Sequence, residues 1–419
     1  MKLRVTGINH ETAPVKIREK AAVSPEKLPA ALANLQNYVP HGIILSTCNR
    51  TEIYTVESDA ADVKKAGLSF LYEKVGIHED NLNNYIYQFK EKKVVEHLFR
   101  VVSGLESMVL GEYEILGQAR FALEKAENCG MANLPLRQLF NCAIGTGRKV
   151  RSETGISRNA LSVSSVAVDF AADILGDLSN CKMLIIGTGQ AGKLVARIAE
   201  ERGMRDITIA SRTQERASQL AGILQGRPVS LEHLHDELQR ADIIITCAGA
   251  PHWLLGKTAM QNVMQHRHKT PLVIIDIALP RNVEPGVAEI AGIHLYNIDD
   301  LNRISDKNRQ QREFEILHAE NIIRREIEEF STWWQQFQVR PVVSALMSRA
   351  EQIRLNQFNR TLKKLPQLTD EQVESLDAMT RSIVNKILKD PVQYLKTNES
   401  SDQIKAVKEI FKLEADSRP

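Results

Sequence analysis

The pattern of apolar and polar positions changes character twice along the 419-residue chain. Up to about residue 155, short strand-like runs mix with helical runs in no regular order. "LRVTGIN" reads as a strand, as do the two runs within "GIILSTCNRTEIYTVE" (Gly42 to Glu57). The first of these is the apolar Ile43-Ile44-Leu45. In the second, Glu52, Tyr54 and Val56 alternate with Ile53, Thr55 and Glu57 in a looser period of two. "AALANLQNYV" and "VVEHLFRVVSGL" read as helices, so this region predicts an α+β domain. Two helical segments, "PLRQLFNCAIGTGRKVRSE" and "SVSSVAVDFAADIL", lead out of it. From about residue 181 buried strands alternate with helix-length segments. "KMLIIGTGQAGKLVARIAEERG" opens the series, "DITIASRT", "ADIIITCAGAP" and "PLVIIDIALPR" follow, and "HLYNIDDL" closes it. That rhythm predicts a parallel sheet with crossover helices, a Rossmann domain.

Beyond about residue 300 the pattern becomes helical throughout, and no glycine occurs after Gly292. Ile316, Ile323, Phe330 and Phe337 recur every seven residues, with Ile327 and Trp334 four residues after two of them, a stripe of heptad type. Pro341 is expected to end or kink this helix. Trp333 and Trp334 need burial, either in an intramolecular bundle or against a second copy. The second is preferred, because few helices must cover much apolar surface. The expected organisation is multidomain α/β: an N-terminal α+β domain over 1–155, a Rossmann domain over 156–300, and an all-α dimerisation domain over 301–419; the motifs they carry make the first the expected catalytic domain and the second the expected NADP-binding domain.

Composition narrows this picture. The chain is too long for one ordinary core. A formal charge of +2 provides no global field for nucleic acid, so any such partner needs a local patch. The five cysteines (Cys48, Cys129, Cys142, Cys181, Cys247) are scattered and odd in number, which suits reduced thiols in a cytosol. No CxxC or HxxxH spacing occurs, and no metal site is expected. The start "MKLRVTGINH" has no apolar signal core and no apolar run reaches the ~18 residues of a membrane span. A cytoplasmic protein without membrane contact is expected.

"IIGTGQAG" places Gly187, Gly189 and Gly192 in GxGxxG spacing after a strand and at the start of a helix, with Thr188, Gln190 and Ala191 between them. The first glycine permits the turn, the second the approach of a pyrophosphate, and the third close helix–strand packing. The helix amino terminus then offers free N–H groups to phosphate. About twenty residues on, where a binder of the unphosphorylated dinucleotide carries a carboxylate, the chain has Ser211, Arg212 and Thr213. A guanidinium and two hydroxyls suit a 2′-phosphate, so the expected cofactor is NADPH. The plain alternative for Arg212 is a solvated surface arginine.

Cys48 lies between the two N-terminal strand runs, flanked by Thr47, Asn49 and Arg50. A free thiol, with a pKa of about 8.5, is mostly protonated at neutral pH, and an adjacent arginine favours its anion. Arg50 could activate Cys48 or hold a substrate carboxylate; a buried structural cysteine is the other reading. A nucleophilic thiol together with NADPH suggests one chemistry. The thiol takes an acyl group as a thioester, which hydride reduces to an aldehyde.

"GINHETAPVKIREK", "LSTCNRTEIY", "HLFRVVSGLESMVLGEYEILGQ" and "IIGTGQAG", in this order, resemble glutamyl-tRNA reductase across all three regions of the chain. The resemblance implies reduction of glutamyl-tRNA(Glu) to glutamate-1-semialdehyde with release of tRNA, the start of the five-carbon route to 5-aminolevulinate and porphyrins. It implies a homodimer through the C-terminal helices, and glutamate-1-semialdehyde aminomutase as a candidate partner. By that resemblance Cys48 is the nucleophile and His97 matches a histidine important for activity. Thr47, Asn49, Arg50, Ser107, Glu112, Tyr113, Glu114 and Gln118 match substrate-contacting positions. The family usually has glutamine where this chain has Glu114, so an amide-specific contact is not carried over there. His97 also reads as a satisfied helix-face histidine. Arg148, Lys149, Arg151 and Arg158 crowd one short span, either a phosphate-facing patch or a solvated helix face. Two other functions share parts of the pattern. A dehydrogenase of small free acids or ketones, like shikimate dehydrogenase, would leave Cys48 without work. A non-enzymatic tRNA-binding or redox-sensing protein would make no aldehyde.

Overall fold

A computed structural model describes residues 2–57, 66–76, 83–156, 162–267, 271–301, 313–365, 367–397 and 401–413. The chain divides into two compact units, Met1–Ile327 and Glu328–Pro419.

The first unit contains two sheets. One is antiparallel, built from β1 (Lys2–Asn9), β2 (Gly42–Ser46), β3 (Arg50–Glu57) and β4 (Tyr87–Lys90) in the order β2-β3-β1-β4. Residues 50–56 of β3 are all buried, on both faces of the strand, which explains why the period of two in its sequence is loose. Helices α1 (Val15–Ala21), α2 (Leu28–Leu35), α3 (Ala66–Val75), α4 (Lys92–Val102), α5 (Glu114–Asn128) and α6 (Leu134–Glu153) accompany this sheet. In α4 the apolar residues Val94, Val95, Leu98, Phe99, Val101 and Val102 are buried. Asn133 caps α6 by accepting from the Leu136 amide at 3.2 Å, with Pro135 in the first turn. A reciprocal Ser162–Ser165 capping box then opens α7 (Val163–Leu175).

The second sheet has six parallel strands: β5 (Lys182–Ile186), β6 (Asp206–Ser211), β7 (Arg227–Ser230), β8 (Ile243–Thr246), β9 (Leu272–Asp276) and β10 (Ile293–Asn297). Their order is β10-β9-β8-β5-β6-β7, the doubly wound Rossmann order. Helices α8 (Gln190–Glu201), α9 (Gln214–Ile223), α10 (Leu234–Arg240) and α11 (Lys257–His266) lie between successive strands, and an apolar cluster packs on each face of the sheet. The sequence gives no strand signal for "RPVS". Its proline is tolerated because β7 is an edge strand. The strand order reverses between β5 and β8, so the carboxyl edge there is where such folds hold ligands.

Of the two outcomes expected at Pro341, an end or a kink of the long C-terminal helix, the first is corrected. Helix α12 runs from Glu313 to Lys364 with Pro341 inside it. Proline removes one helical hydrogen bond, and packing of the flanking Val339 and Val342 against Leu395 offsets the loss. Helices α13 (Asp370–Thr397) and α14 (Ser401–Ile410) complete the second unit. Arg354 of α12 pairs with Asp377 of α13, and Val407 packs beside the Leu395 cluster. The heptad stripe is also placed differently from expectation. Ile323, Ile327, Phe330 and Trp334 are already buried within one chain. The exposed apolar positions are others, among them Met379, Ile383 and Ile387, four residues apart on α13. Among the described residues no helix is long and apolar enough to cross a membrane.

Candidate active site

Thr47, Cys48 and Asn49 form the connection between β2 and β3. The Thr47 amide donates to the Arg50 carbonyl at 2.8 Å. The Thr47 hydroxyl accepts from the amides of Asn49 at 3.1 Å and Arg50 at 3.3 Å. A hydroxyl-bonded turn of this kind holds its residues in one conformation. Arg18 of α1 fixes the next residue, donating to the Cys48 carbonyl at 2.8 Å. Cys48 itself is half-buried and packs against a cluster of Val15, Met108 and Ile298, which Val163 and Leu279 also join. Leu279 follows β9 and Ile298 follows β10. The thiol therefore sits at the carboxyl edge of the parallel sheet, though its own strands belong to the other sheet.

Burial pushes the Cys48 thiol well above its ordinary range. Glu112 and Glu114 add to the effect and Arg18 opposes it. The expectation that Arg50 activates the thiol is not what the geometry provides. Arg50 is buried and donates to Glu52 at 2.6 Å and to the Glu106 carbonyl. Asn49 is 2% exposed, and neither its Nδ2 nor its Oδ1 has a partner among the described residues. A buried amide left unpaired is rare and costly.

Glu52, which the sequence reading passed over, organises the other side of Arg50. Its fully buried carboxylate accepts from Arg50, from the hydroxyls of Tyr54 and Tyr87, and bonds His97 Nε2 at 2.9 Å. Burial alone would raise this carboxyl; the charge of Arg50 beside it, with His97 and Tyr54, holds it far below the carboxylate range instead. Gly7 makes the arrangement possible. It lies on β1 between Glu52 of β3 and Tyr87 of β4. A Cβ there would meet the Glu52 side chain at 2.8 Å and the Tyr87 ring at 3.0 Å. His97 reaches the cluster from α4, and its ring packs against Tyr87 and Phe89. A signal existed in the sequence: Arg50, Glu52 and Tyr54 are polar residues at a period of two, hence on one face of a strand.

The remaining expected substrate residues lie on the 103–118 segment. Gly111 donates to the Gly104 carbonyl at 3.0 Å and closes a loop that carries Ser107 and Met108. Burial and then Glu114 push the Glu112 carboxyl up to about 7, against the Ser107 hydroxyl, Arg50 and Arg151. Burial also raises Glu114. Gln118 follows Glu114 by one turn of α5, so the two share a face. Tyr113 is the exposed member, lying under the Arg151 guanidinium.

At the nucleotide turn, Gly187 has φ +129°, a region that favours glycine, and its amide donates to the Ala210 carbonyl. A Cβ on Gly192 would lie 2.1 Å from the Gly187 carbonyl oxygen, so that position admits no side chain. Gly189 faces open space, with nothing within 4 Å of an added Cβ. It caps α8 without a side-chain hydrogen bond, which leaves the first N–H groups of Gln190 and Ala191 free for phosphate. Thr188 and Ser211 are joined by their hydroxyls at 3.1 Å, and Ser211 accepts from the Thr213 amide. Arg212 is exposed beside an open cavity of about 650 Å³ lined also by Gln214, Ser230, Glu232 and His233. These residues fit a dinucleotide: an open glycine cradle, an uncapped helix start, and a cation where the adenosine ribose lies in this fold.

The basic span is largely used within the fold. Lys149 pairs with Glu326 at 2.7 Å, and Arg151 donates to the carbonyls of Glu112 and Tyr113. Arg148 is exposed, and Arg158 lies outside the described residues. Among the described residues no group of three His, Cys, Asp or Glu side chains is placed to hold a metal ion.

Comparison with known proteins adds three matches. Residues 6–154 match the sequence model of the glutamyl-tRNAGlu reductase N-terminal domain, 169–304 that of shikimate / quinate 5-dehydrogenase, and 318–413 that of the glutamyl-tRNAGlu reductase dimerisation domain. The glutamyl-tRNA reductase of Solibacter usitatus is 37% identical over 420 residues, covering 99% of this chain and 100% of its own. That of Carboxydothermus hydrogenoformans is 37% identical over 422 residues, 99% of this chain and 94% of its own. The solved glutamyl-tRNA reductase of Methanopyrus kandleri, 30% identical, aligns over 98% of this chain and 99% of that one with a TM-score of 0.53.

Proposed function

The chain belongs to the glutamyl-tRNA reductase family, oxidoreductases of the first step of tetrapyrrole synthesis, and we propose that it reduces glutamyl-tRNA(Glu) to glutamate-1-semialdehyde with NADPH through a thioester on Cys48. One observation carries the reading: a thiol on a rigid polar turn of one sheet packs into an apolar cluster that also takes in Ile298 and Leu279, at the ligand edge of another. A dehydrogenase of small free acids would share the glycine turn but would leave that thiol idle.

In the proposed course, the Cys48 sulfur attacks the ester carbon of the aminoacyl end. The terminal ribose oxygen leaves with a proton, and tRNA is released. Of the groups that act on the thiol, Glu112 has a proton affinity near neutrality, which makes it the candidate acceptor of the thiol proton. Glu112 and Glu114 form an acidic wall suited to the substrate's α-ammonium group, and the unpaired Asn49 amide offers both a donor and an acceptor. Arg50 already bonds Glu52 and the Glu106 carbonyl, so only its remaining N–H groups could reach a substrate carboxylate. The nicotinamide cofactor, when bound on the glycine cradle, supplies hydride. Acceptance of hydride at the thioester carbon breaks the C–S bond, and the departing sulfur regains its proton. A cytoplasmic location is part of this reading: it supplies charged tRNA, and its reducing conditions suit the five free cysteines.

Acylation in this scheme precedes reduction and needs no NADPH. Wild-type protein incubated with charged tRNA alone should release tRNA and carry a glutamyl mass increase on the Cys48 peptide. Cys48→Ser, whose hydroxyl is almost wholly protonated, should bind charged tRNA yet form neither adduct nor aldehyde. Substantial NADPH-dependent aldehyde formation by Cys48→Ser would falsify the thioester route at this residue.

A further inference from the structure

Helix α1 has only seven residues, yet two consecutive side chains on it reach the carboxyl edge of the parallel sheet. Arg18, 1% exposed, divides its guanidinium among three sites. Nε donates to the Ala13 carbonyl at 3.1 Å, Nη1 to the Cys48 carbonyl at 2.8 Å, and Nη2 to Asp299 Oδ1. Asp299 follows β10, and its second oxygen accepts from the Val15 amide at 3.2 Å. Glu19 receives a two-pronged bond from Arg281, at 2.9 Å from Nε and 2.8 Å from Nη2. Arg281 lies in the segment after β9. The same guanidinium thus touches both the backbone of the thiol residue and the nucleotide-binding half, and the neighbouring carboxylate makes a second attachment to that half.

We propose that Arg18 and Glu19 form a two-point clamp that holds the thiol loop against the carboxyl edge of the nucleotide-binding sheet, with the Glu19–Arg281 and Arg18–Asp299 attachments acting as positioning contacts for the reduction half of the reaction. The proposal rests on the reading of Cys48 as acyl acceptor. Acyl transfer joins a tRNA ester to a thiol and uses the turn between β2 and β3 with its surrounding pocket. Reduction requires more: the acylated sulfur belongs to one sheet, and the hydride donor is held by the other. A misplacement of about 1 Å between reacting groups can cost roughly a hundredfold in rate. A thioester that waits for hydride meets water instead. Water oxygen adds to the carbonyl carbon, the C–S bond breaks, the thiolate takes up the released proton, and free glutamate leaves. The ratio of aldehyde to free glutamate therefore reports how well the two halves are held together.

The test uses the whole protein with charged tRNA and NADPH, measuring released tRNA, aldehyde and free glutamate. The variants are Glu19→Gln, Arg281→Gln, Asp299→Asn and the exchanged pair Glu19→Arg with Arg281→Glu. Each single variant should release tRNA within about threefold of wild type, while aldehyde falls roughly tenfold or more and glutamate rises to replace it. The exchanged pair keeps an ion pair and should recover most of the aldehyde, a recovery that lost folding does not give. If a single variant fails to fold, the exchanged pair decides. An unchanged aldehyde-to-glutamate ratio in the folded variants overturns the clamp, as does an equal loss of tRNA release and aldehyde. Absence of a Cys48 adduct in wild-type protein without NADPH sinks the acyl-acceptor reading and the clamp with it. An adduct with an unchanged ratio sinks the clamp alone.

Discussion

Glu52 brings four donors to one carboxylate: Arg50, Tyr54, Tyr87 and His97. With its affinity for a proton held far below the ordinary range, chiefly by Arg50 against the effect of burial, the charged form is tied to the folded state. The unfolded group titrates at about 4.3. Because the folded value is the lower of the two, the stabilisation is fully present above the unfolded value and is lost as pH falls through the folded one. Glu52→Gln leaves Arg50 buried beside a neutral amide, and losing one partner of a buried pair typically costs about 3–5 kcal/mol. Urea unfolding should show a gap of that order at pH 7.5, narrowing as pH drops below about 4. A gap that stays constant with pH would assign the loss to packing. The cluster's position beside the thiol turn also predicts lost activity in this variant. The residue types were legible in the sequence, as three polar side chains on alternate positions of β3. Their mutual contact was not, because Tyr87 and His97 come from β4 and α4, and Tyr87 meets Glu52 across Gly7.

At the scale of elements, the turns carry the chemistry. The thiol turn is set by a single hydroxyl, Thr47, bonding two amides of its own chain, a local interaction that sequence can encode directly. The nucleotide turn is equally local. Gly187 supplies the backbone conformation, Gly192 the close approach, and Gly189 the open face. On the proposed reading, the end of β6 would select between the phosphorylated and unphosphorylated dinucleotide, since Arg212 stands exposed there with Ser211 and Thr213 beside it. A hydrogen bond to a charged group contributes about 1.5–3 kcal/mol. Arg212→Ala should therefore weaken NADPH binding roughly ten- to a hundredfold and leave NADH nearly unchanged, measured by titration of each cofactor. Equal losses for both would mean that this arginine does not read the 2′-phosphate.

At the scale of the molecule, the C-terminal helices match a dimerisation domain, and burial indicates which face remains for a second copy. Ile323, Ile327, Phe330 and Trp334 are covered within one chain. Truncating them is expected to lower stability, by about 3–5 kcal/mol for Trp334→Ala. Met379, Ile383 and Ile387 are exposed in a row on α13, an arrangement that suits an interface between copies. Replacing all three with serine should give a folded monomer by sedimentation, with circular dichroism unchanged. A variant that remains dimeric would move the interface to another face.

The sequence by itself determined most of the elements and the chemistry that depends on neighbours along the chain. The parallel-sheet rhythm, the glycine spacing, the polar flanks of Cys48 and the helical character of the C-terminal region are short-range patterns, set by backbone conformation and by which face of a strand or helix is apolar. It did not determine the partners of charged groups. Arg50 stands two residues from Cys48 in sequence and bonds Glu52 instead, while Arg18, thirty residues away, holds the Cys48 carbonyl. Lys149 and Arg151, basic residues in an apparent patch, are taken up by Glu326 and by the carbonyls of Glu112 and Tyr113. Pro341, a helix breaker by local rule, lies inside a continuous helix because Val339 and Val342 pack beside it. For Arg18, Arg50 and the helix through Pro341 the outcome was set by burial. A charge withdrawn from water must find a counter-charge or carbonyl wherever the fold supplies one, and apolar packing can outweigh a lost backbone hydrogen bond. Both depend on residues distant in sequence, which only the tertiary structure brings together.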